Sequence, residues 1–461
     1  MNCLKTFSSP QLKKLHSGKV RDSFRVDDHT RMIVVTDRLS AFDKVLDTPV
    51  FAKGAVLNGL TNFWFRKTSK ICENHFIEAV DPNVSLVREA DPIRVEVIVR
   101  RYITGSIWRE YQEGKRTFSG ITLPDGLKKN QKLPEAILTP TTKEKNDREI
   151  SPEEIIKTGL ASASTWKKMA ELALELFAVG TEILESKGFL LADTKYEFGL
   201  LNGKVILIDE IHTPDSSRFW SAEKYSSDPL KIDSLDKEYV REWLRNNAVD
   251  GIYPTALTDE VAQETSRRYI EIYEIITGEK LFIPDIEINS RITSGLCTKG
   301  MIKPGYVAIL MGSPGDVQHS RKIAEVVESY GMKALLRVVS AHKNGERIVE
   351  IAEEYNNSIE PGVAIAVAGR SNGLGGALAA NLNIPVISCP PFTDRDDMTV
   401  NIFSSLMMPS KTPAAVVIDP ESAALCALRT LNLPTLRQRF SREIVQMKKA
   451  LYQEDENVRK G

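Results

Sequence analysis

The sequence predicts two differently built parts on one chain. The first is a mixed segment of hairpins and helices, and the second is an α/β part with a three-layer, parallel, Rossmann-like sheet. Three observations carry this. Residues 191–220 read as two strands about an Asn202-Gly203 turn, a strong hairpin signal because both residues tolerate positive φ. Residues 284–305, PDIEINSRITSGLCTKGMIKPG, lack sustained periodicity and are punctuated by Pro and Gly. Beyond them, apolar unalternating runs take turns with helical patterns, as buried parallel strands flanked by helices do.

The 461 residues fit about three domains on a length prior, or two large ones. Hydrophobic content of 42% and charged content of 27% suit globular cores, and a net charge of −1 argues against nucleic acid or an anionic membrane as partner. Five scattered cysteines, with no CxxC or zinc spacing, read as reduced thiols of a cytoplasmic protein. No apolar run reaches the ~18 residues of a membrane span. The opening MNCLKTFSSPQLKKLHSG lacks a secretory apolar core, and the first motif already begins at Gly18, so no targeting segment is expected.

In chain order, residues 13–50 alternate in strand fashion about polar turns, and GKVRD (18–22) would form a flap whose N–H groups and Lys19 can cover a triphosphate. RVEVIVRRYITGSIWREY (94–111) starts as a β-branched strand and turns at Gly105; LPEAILTPTTKEKNDREIS (133–151) has loop composition. Residues 164–187 form a helix, with Trp166, Met169, Leu172, Leu176, Val179 and Ile183 at spacings of three and four and Gly188 as its stop. The hairpin then carries acids where a structural hairpin would carry Val or Thr: Glu197 on one strand, Asp209 and Glu210 on the other. Asp215, Ser216, Ser217 and Arg218 follow, a cluster able to hold a phosphate and a carboxylate together. Two carboxylates beside such a loop suit Mg²⁺ held against a nucleotide. A strict two-residue turn pairs Glu197 with Ile208 and sends Asp209 to the opposite face, so a shared metal requires a bulge or an extra turn residue. Helices are expected from SLDKEYVREWL (234–244) and over 257–277.

DTKYEFG with LIDEIHTPDSSRFW closely resembles the signature of SAICAR synthetase, the ligase that joins CAIR to aspartate using ATP. GKVRD, DRLSAFD (37–43) and the 133–151 block, similar to the family's LPEPIFTPSTKA, extend the resemblance. It implies an α+β fold of two lobes (residues 1–283) with an ATP cleft between them. Gly18, Lys19, Val20 and Arg21 would cover ATP, Glu197 and Asp209 would hold Mg²⁺, and Arg100, Ser106, Asp215, Ser217 and Arg218, with Lys195 and Lys237, would hold CAIR. Arg101 and Ala136 depart from the family pattern, where a small residue and proline are usual.

After a linker (284–304), strands are expected at YVAILM (306–311), ALLRVV (334–339), VAIAVA (363–368), PVIS (385–388) and AAVVI (414–418). GSPGD (312–316), SAHK (340–343), GRSNGLGG (369–376) and CPPF (389–392) follow the first four, and ligands of open α/β sheets bind outside these carboxyl ends. GSPGD does not supply G-x-G-x-x-G, so an NAD-dependent oxidoreductase is set aside. His342, the one histidine of these loops, suits proton transfer. The tail, 436–461, reads as helical.

These loops resemble AIR carboxylase over residues 305–440: MGSPGD for its MGSxSD, SAHK for its SAH(R/K), and AGRSNGLG for the third loop of the carbon-dioxide-using class. The resemblance implies that AIR is carboxylated to CAIR without a cofactor. Gly312, Ser313, Asp316, Ser340, Gly369, Arg370 and Gly373 would surround AIR. His342 would act as general acid/base, Lys343 would attract phosphate or carboxylate, and Ser371 and Asn372 would line the carbon dioxide pocket. It also implies a cytoplasmic homo-octamer. The alternatives are a mutase of N-carboxy-AIR in the second part, or a non-catalytic purine-nucleotide sensor.

Overall fold

The computed structural model describes residues 3–144, 147–232 and 235–460, which excludes Lys145 and Asn146 of the 133–151 block and Ser234 of the 234–244 block. Two compact units divide the chain. The first, residues 13–288 with the extreme N-terminus, contains a five-stranded antiparallel sheet in the order 13–17, 21–25, 30–35, 84–88, 76–81. A second antiparallel sheet is built on two long central strands, Asp91–Tyr102 and Phe189–Leu201.

The alternation of those two strands separates core from site. Val95, Val97, Val99, Tyr196 and Phe198 point into one hydrophobic core with the helix Ala163–Glu185, where Trp166, Met169, Leu172 and Leu176 are buried as expected. Val179 and Ile183 are only half-buried, and Ala173, Phe177 and Leu184 take core positions. Each large side chain buried there contributes roughly 1.5–3 kcal/mol. Ser162 caps the helix by accepting from the Thr165 N–H at 3.1 Å. The helix expected over 257–277 is Asp259–Thr277, ended by Gly278 at φ 75°. The opposite strand face carries Glu96, Ile98 and Arg100 directly across from Glu197, Lys195 and Asp193.

The second unit has five parallel strands in the order 333–338, 306–311, 362–367, 386–388, 415–416, matching the expected runs to within two residues at nearly every boundary. Alternate residues of the fully buried strand Tyr306–Met311 enter two cores. Val307, Ile309 and Met311 meet helices Val317–Ser329 and Pro420–Leu431, and Ala308 and Leu310 meet Glu346–Asn356 and Gly373–Asn381. The C-terminal helix spans Pro434–Lys460.

Two features correct the expected linker and N-terminus. The helix Ile288–Thr298 occupies the supposed linker, with Arg291, Ile292 and Leu296 buried; a single short apolar stripe is too brief to register as periodicity. Residues 6–12 belong to the second unit. Phe7 is buried there, Gln11 donates to the Lys303 carbonyl (2.9 Å) and accepts from its N–H (2.8 Å), and Ser9 bonds the buried Glu360.

Candidate active sites

The Asn202-Gly203 turn holds two residues at positive φ (52° and 76°), and its strict register pairs Leu201 with Lys204 and Glu197 with Ile208. The turn therefore carries no extra residue, contrary to one of the expected devices. Asp209 itself adopts φ 63°, so the chain leaves the ladder there and its carboxylate comes back to the Glu197 side. A register shift opposite Glu197–Gly199 in the Asp91–Tyr102 strand adds a bulge on that side. Both acids now line one cavity of about 190 Å³, with Ile33, Val87 and Ile208 as apolar walls.

The cavity's charges are already matched. Arg21 bonds Asp209 and Glu210; Lys143 bonds Glu197, and Lys195 lies 3.6 Å from Glu197 and 2.9 Å from Glu96. Burial, with Asp209 next to it, pushes Glu197 up to about 7 despite Lys195 and Lys143. Burial works on Asp209 in the same direction, but Arg21 and the two lysines outweigh it and hold Asp209 well below the carboxylate range. Among the described residues no group of three or more His, Cys, Asp or Glu could hold a metal alone. Two carboxylates on a cleft do fit Mg²⁺, which takes one or two from protein and fills its shell with phosphate oxygens and water.

Of the four residues expected to cover ATP, Arg21 lines this cavity and serves the acids, and Asp22 of the same segment lines it too. Lys19 pairs with Asp43 at 2.7 Å on the surface; Gly18 donates to the Arg21 carbonyl, and the Val20 carbonyl accepts from Thr36.

An adjoining cavity of about 210 Å³ collects six of the seven residues expected around CAIR: Arg100, Ser106, Lys195, Asp215, Ser217 and Arg218. Asp193, Lys195 and Glu197 alternate along one strand face and so link the two cavities. Arg100 donates to Asp193 and to Thr139, each at 2.8 Å, and Arg218 donates to the same Asp193. Lys237, the seventh, stands behind the wall 3.2 Å from Asp215. Asp215 is enclosed by Lys237, by Lys53 (3.0 Å, fully buried) and by the Tyr269 hydroxyl (2.7 Å). It therefore anchors its loop rather than presenting a free carboxylate.

Sequence reasoning missed Asp193, Glu96, Lys143 and Lys53. Glu96 shares a phase with Arg100 in RVEVIVR, and Asp193 shares one with Lys195 and Glu197, so period two could have found these two groups.

In the second unit the loops after the first four strands converge on one cavity of about 470 Å³. Gly312, Ser313, Asp316, Ser340, His342, Gly369, Arg370, Ser371, Asn372 and Gly373 all line it; Lys343 is exposed and lies outside the lining. The His342 ring packs on Gly373, where a Cβ would come within 2.9 Å of it. The residues after it hold the loop's turn. Asn344 accepts from the Ser340 N–H at 2.8 Å, and Gly345 has no room for a Cβ, 2.7 Å from the Ala341 carbonyl. A Cβ at Gly315 would meet only Ser313 Oγ at 3.5 Å, an ordinary contact.

Asn372 caps the helix Gly373–Asn381 by accepting from Gly375 N–H (3.4 Å) and donates to Ser405 (2.5 Å), so its amide is committed to structure. Asn401, missed by sequence reasoning, ties two loops: it accepts from Arg370 N–H (2.5 Å) and donates to the Pro391 carbonyl (2.8 Å). No spacing in the sequence announces it.

Comparison with known proteins finds a different family for each of the two stretches of chain. The SAICAR synthetase family model matches residues 14–256, and the AIR carboxylase model matches residues 306–453. A phosphoribosylaminoimidazole-succinocarboxamide synthase of Bacteroides thetaiotaomicron is 43% identical over 290 residues, 60% of this chain and 92% of that protein. The synthase of that name from Azobacteroides pseudotrichonymphae is 42% identical over 315 residues, 66% and 97% of the two chains. The solved SAICAR synthase of Saccharomyces cerevisiae, complexed with SAICAR, superposes with a TM-score of 0.54 at 36% identity, covering 60% of this chain and 98% of that one.

Proposed function

Since the chain belongs to the SAICAR synthetase family and continues into an AIR carboxylase segment, we propose that it performs two consecutive steps of de novo purine biosynthesis. The second unit carboxylates AIR to CAIR, and the first ligates CAIR to L-aspartate with ATP to give SAICAR. The observation that carries the ligase reading is the single strand face on which Asp193, Lys195 and Glu197 join two cavities.

In the first unit ATP activates the CAIR carboxylate as an acyl phosphate, and the aspartate amine displaces phosphate. The apolar slot between Ile33, Val87 and Ile208 suits an adenine ring. Glu197 and Asp209 would hold Mg²⁺, which when bound neutralises charge on the phosphoryl oxygens. Arg21 and Lys143 keep those acids oriented and charge-matched beforehand. Arg100 and Arg218, fixed by Asp193, meet the phosphate of CAIR with Ser106, while Lys195 reaches towards its carboxylate. Lys19 exchanges Asp43 for ATP phosphate when the flap closes.

In the second unit carbon dioxide adds to the ring carbon of AIR, an electron-rich aminoimidazole, with no cofactor. His342 takes the ring proton and returns it in the reverse direction. Ser313 and Asp316 meet ribose and phosphate, and Ser371 faces the carbon dioxide; Lys343 acts on phosphate or carboxylate from the rim. The AGRSNGLG loop favours carbon dioxide over N-carboxy-AIR as the carbon source. Exposed Val400, Phe403, Leu406 and Met407, with the outer stripe of the C-terminal helix, suit burial in a homo-octamer. No helix among the described residues is long and apolar enough to cross a membrane, in keeping with a cytoplasmic enzyme.

Mass spectrometry of products from AIR, ¹³C-bicarbonate and aspartate tests this. Labelled CAIR without ATP, converted to SAICAR once Mg-ATP is added, is the expected result. CAIR only from supplied N-carboxy-AIR would make the second unit a mutase, and no product from either unit would leave a nucleotide sensor.

A further inference from the structure

The first unit holds a third cavity, about 470 Å³, that neither ligation nor carboxylation uses. Its size is in the range of small-molecule sites. Five of its lining side chains are cationic and two are acidic. Three cations are spoken for: Arg218 by Asp193, Arg245 by Glu238, and Arg268 by Glu264 at 2.8 Å with its guanidinium over the Tyr239 ring. Arg109 and Lys129 make no ion pair among the described residues, and neither does Glu242 on the same wall. Trp108, half-buried and stacked on Tyr111, adds an aromatic surface.

Two uncommitted cations, one uncommitted carboxylate and an indole together match one chemical class. We propose that this cavity binds a nucleoside 5′-monophosphate, with its phosphate on Arg109 and Lys129, its ribose or base donors on Glu242, and its base against Trp108. Phosphate takes charge-assisted bonds from Arg and Lys, carboxylate accepts from hydroxyl and amine donors, and an indole stacks on any base.

Given the CAIR pocket proposed above, on which this coupling rests, the two neighbouring sites are coupled through Arg218. Arg218 lines both cavities, and its guanidinium lies against Gly105 (φ 64°) so closely that a Cβ there would come within 2.5 Å of it. The wall between the two cavities at this point is one arginine over bare backbone. A second phosphate near it divides the field of Arg218 between two anions, so the monophosphate weakens CAIR binding without displacing CAIR.

AMP is the probe, added to the full-length protein in a ligation assay that starts from CAIR with saturating Mg-ATP and aspartate. The expected result is an apparent KM for CAIR that rises with AMP and then levels off, because both ligands bind at once. In the Arg109→Ala/Lys129→Ala variant, which keeps wild-type kinetics without AMP, the AMP effect requires concentrations at least about tenfold higher. Calorimetric titration of AMP into protein saturated with a non-hydrolysable ATP analogue reads the site directly, and still does so if the chain fails to ligate CAIR. The proposal is overturned by a KM that climbs without limit and equally in both proteins, since AMP then occupies the CAIR pocket. It is also overturned if titration gives the double variant the same binding as wild type, or if that variant has a raised KM for CAIR without AMP.

Discussion

The candidate site of the first unit is built from charge paired before any ligand arrives, whereas that of the second is built from loops and backbone. Around Glu197 and Asp209 stand Arg21, Lys143 and Lys195, and around Asp215 stand Lys53 and Lys237. The charged groups lining the second cavity, Asp316, Arg370 and Asp397, make no ion pair among the described residues, and amides such as Asn401 and Asn372 tie its loops together. The contrast follows the chemistry. A triphosphate and a developing acyl phosphate demand fixed cations and a metal-holding pair, while an electron-rich ring meeting carbon dioxide demands a shaped cavity and one proton carrier.

Removing one charge from the first scaffold is the harsher break. Asp215→Asn leaves the fully buried Lys53 without its counter-ion and is expected to cost the first unit about 3–5 kcal/mol, read by denaturant unfolding. Burial would raise the Asp215 carboxyl, but Lys237, Lys53 and the Tyr269 hydroxyl outweigh it and hold it well below its ordinary 3.8. A carboxyl depressed in the folded state stabilises above its unfolded value and loses that contribution as pH falls through the folded one. The gap between wild type and variant is therefore full at pH 7 and narrows only below about pH 4. A gap unchanged at pH 3 would show that the cage is not electrostatic.

The counterpart in the second unit is milder. Asn401→Ala frees the Arg370 N–H and the Pro391 carbonyl and is expected to cost about 1–3 kcal/mol. Because both loops line the cavity, the KM for AIR should rise while ligation of supplied CAIR stays unchanged. An equal loss in both half-reactions would mean that Asn401 serves general folding and not this site.

Legibility differed between the units for a physical reason. Strands buried on both faces announce themselves as unbroken apolar runs, and the residues after each run were at the cavity, from Gly312 to Gly373. In the first unit the register at Asn202-Gly203 was readable, including the pairing of Glu197 with Ile208. The way Asp209 returns, through a single left-handed residue, was not, because an aspartate adopts that conformation only when its surroundings hold it there. Lys143 and Lys53 reach their acids from loops and helices remote in sequence, where no periodicity points to them. That Lys343 stands outside the cavity lining was not readable, because adjacency to His342 says nothing about the direction of a loop side chain.

The most direct test of two independent activities is to measure both half-reactions in two single variants, Glu197→Gln and His342→Asn. Glu197→Gln should lower SAICAR formation from supplied CAIR about 10²–10³-fold and leave CAIR formation from AIR at the wild-type rate. His342→Asn should do the reverse, lowering CAIR formation about 10²–10⁴-fold with ligation untouched. Loss of both activities in either variant, or of neither in both, would contradict the account.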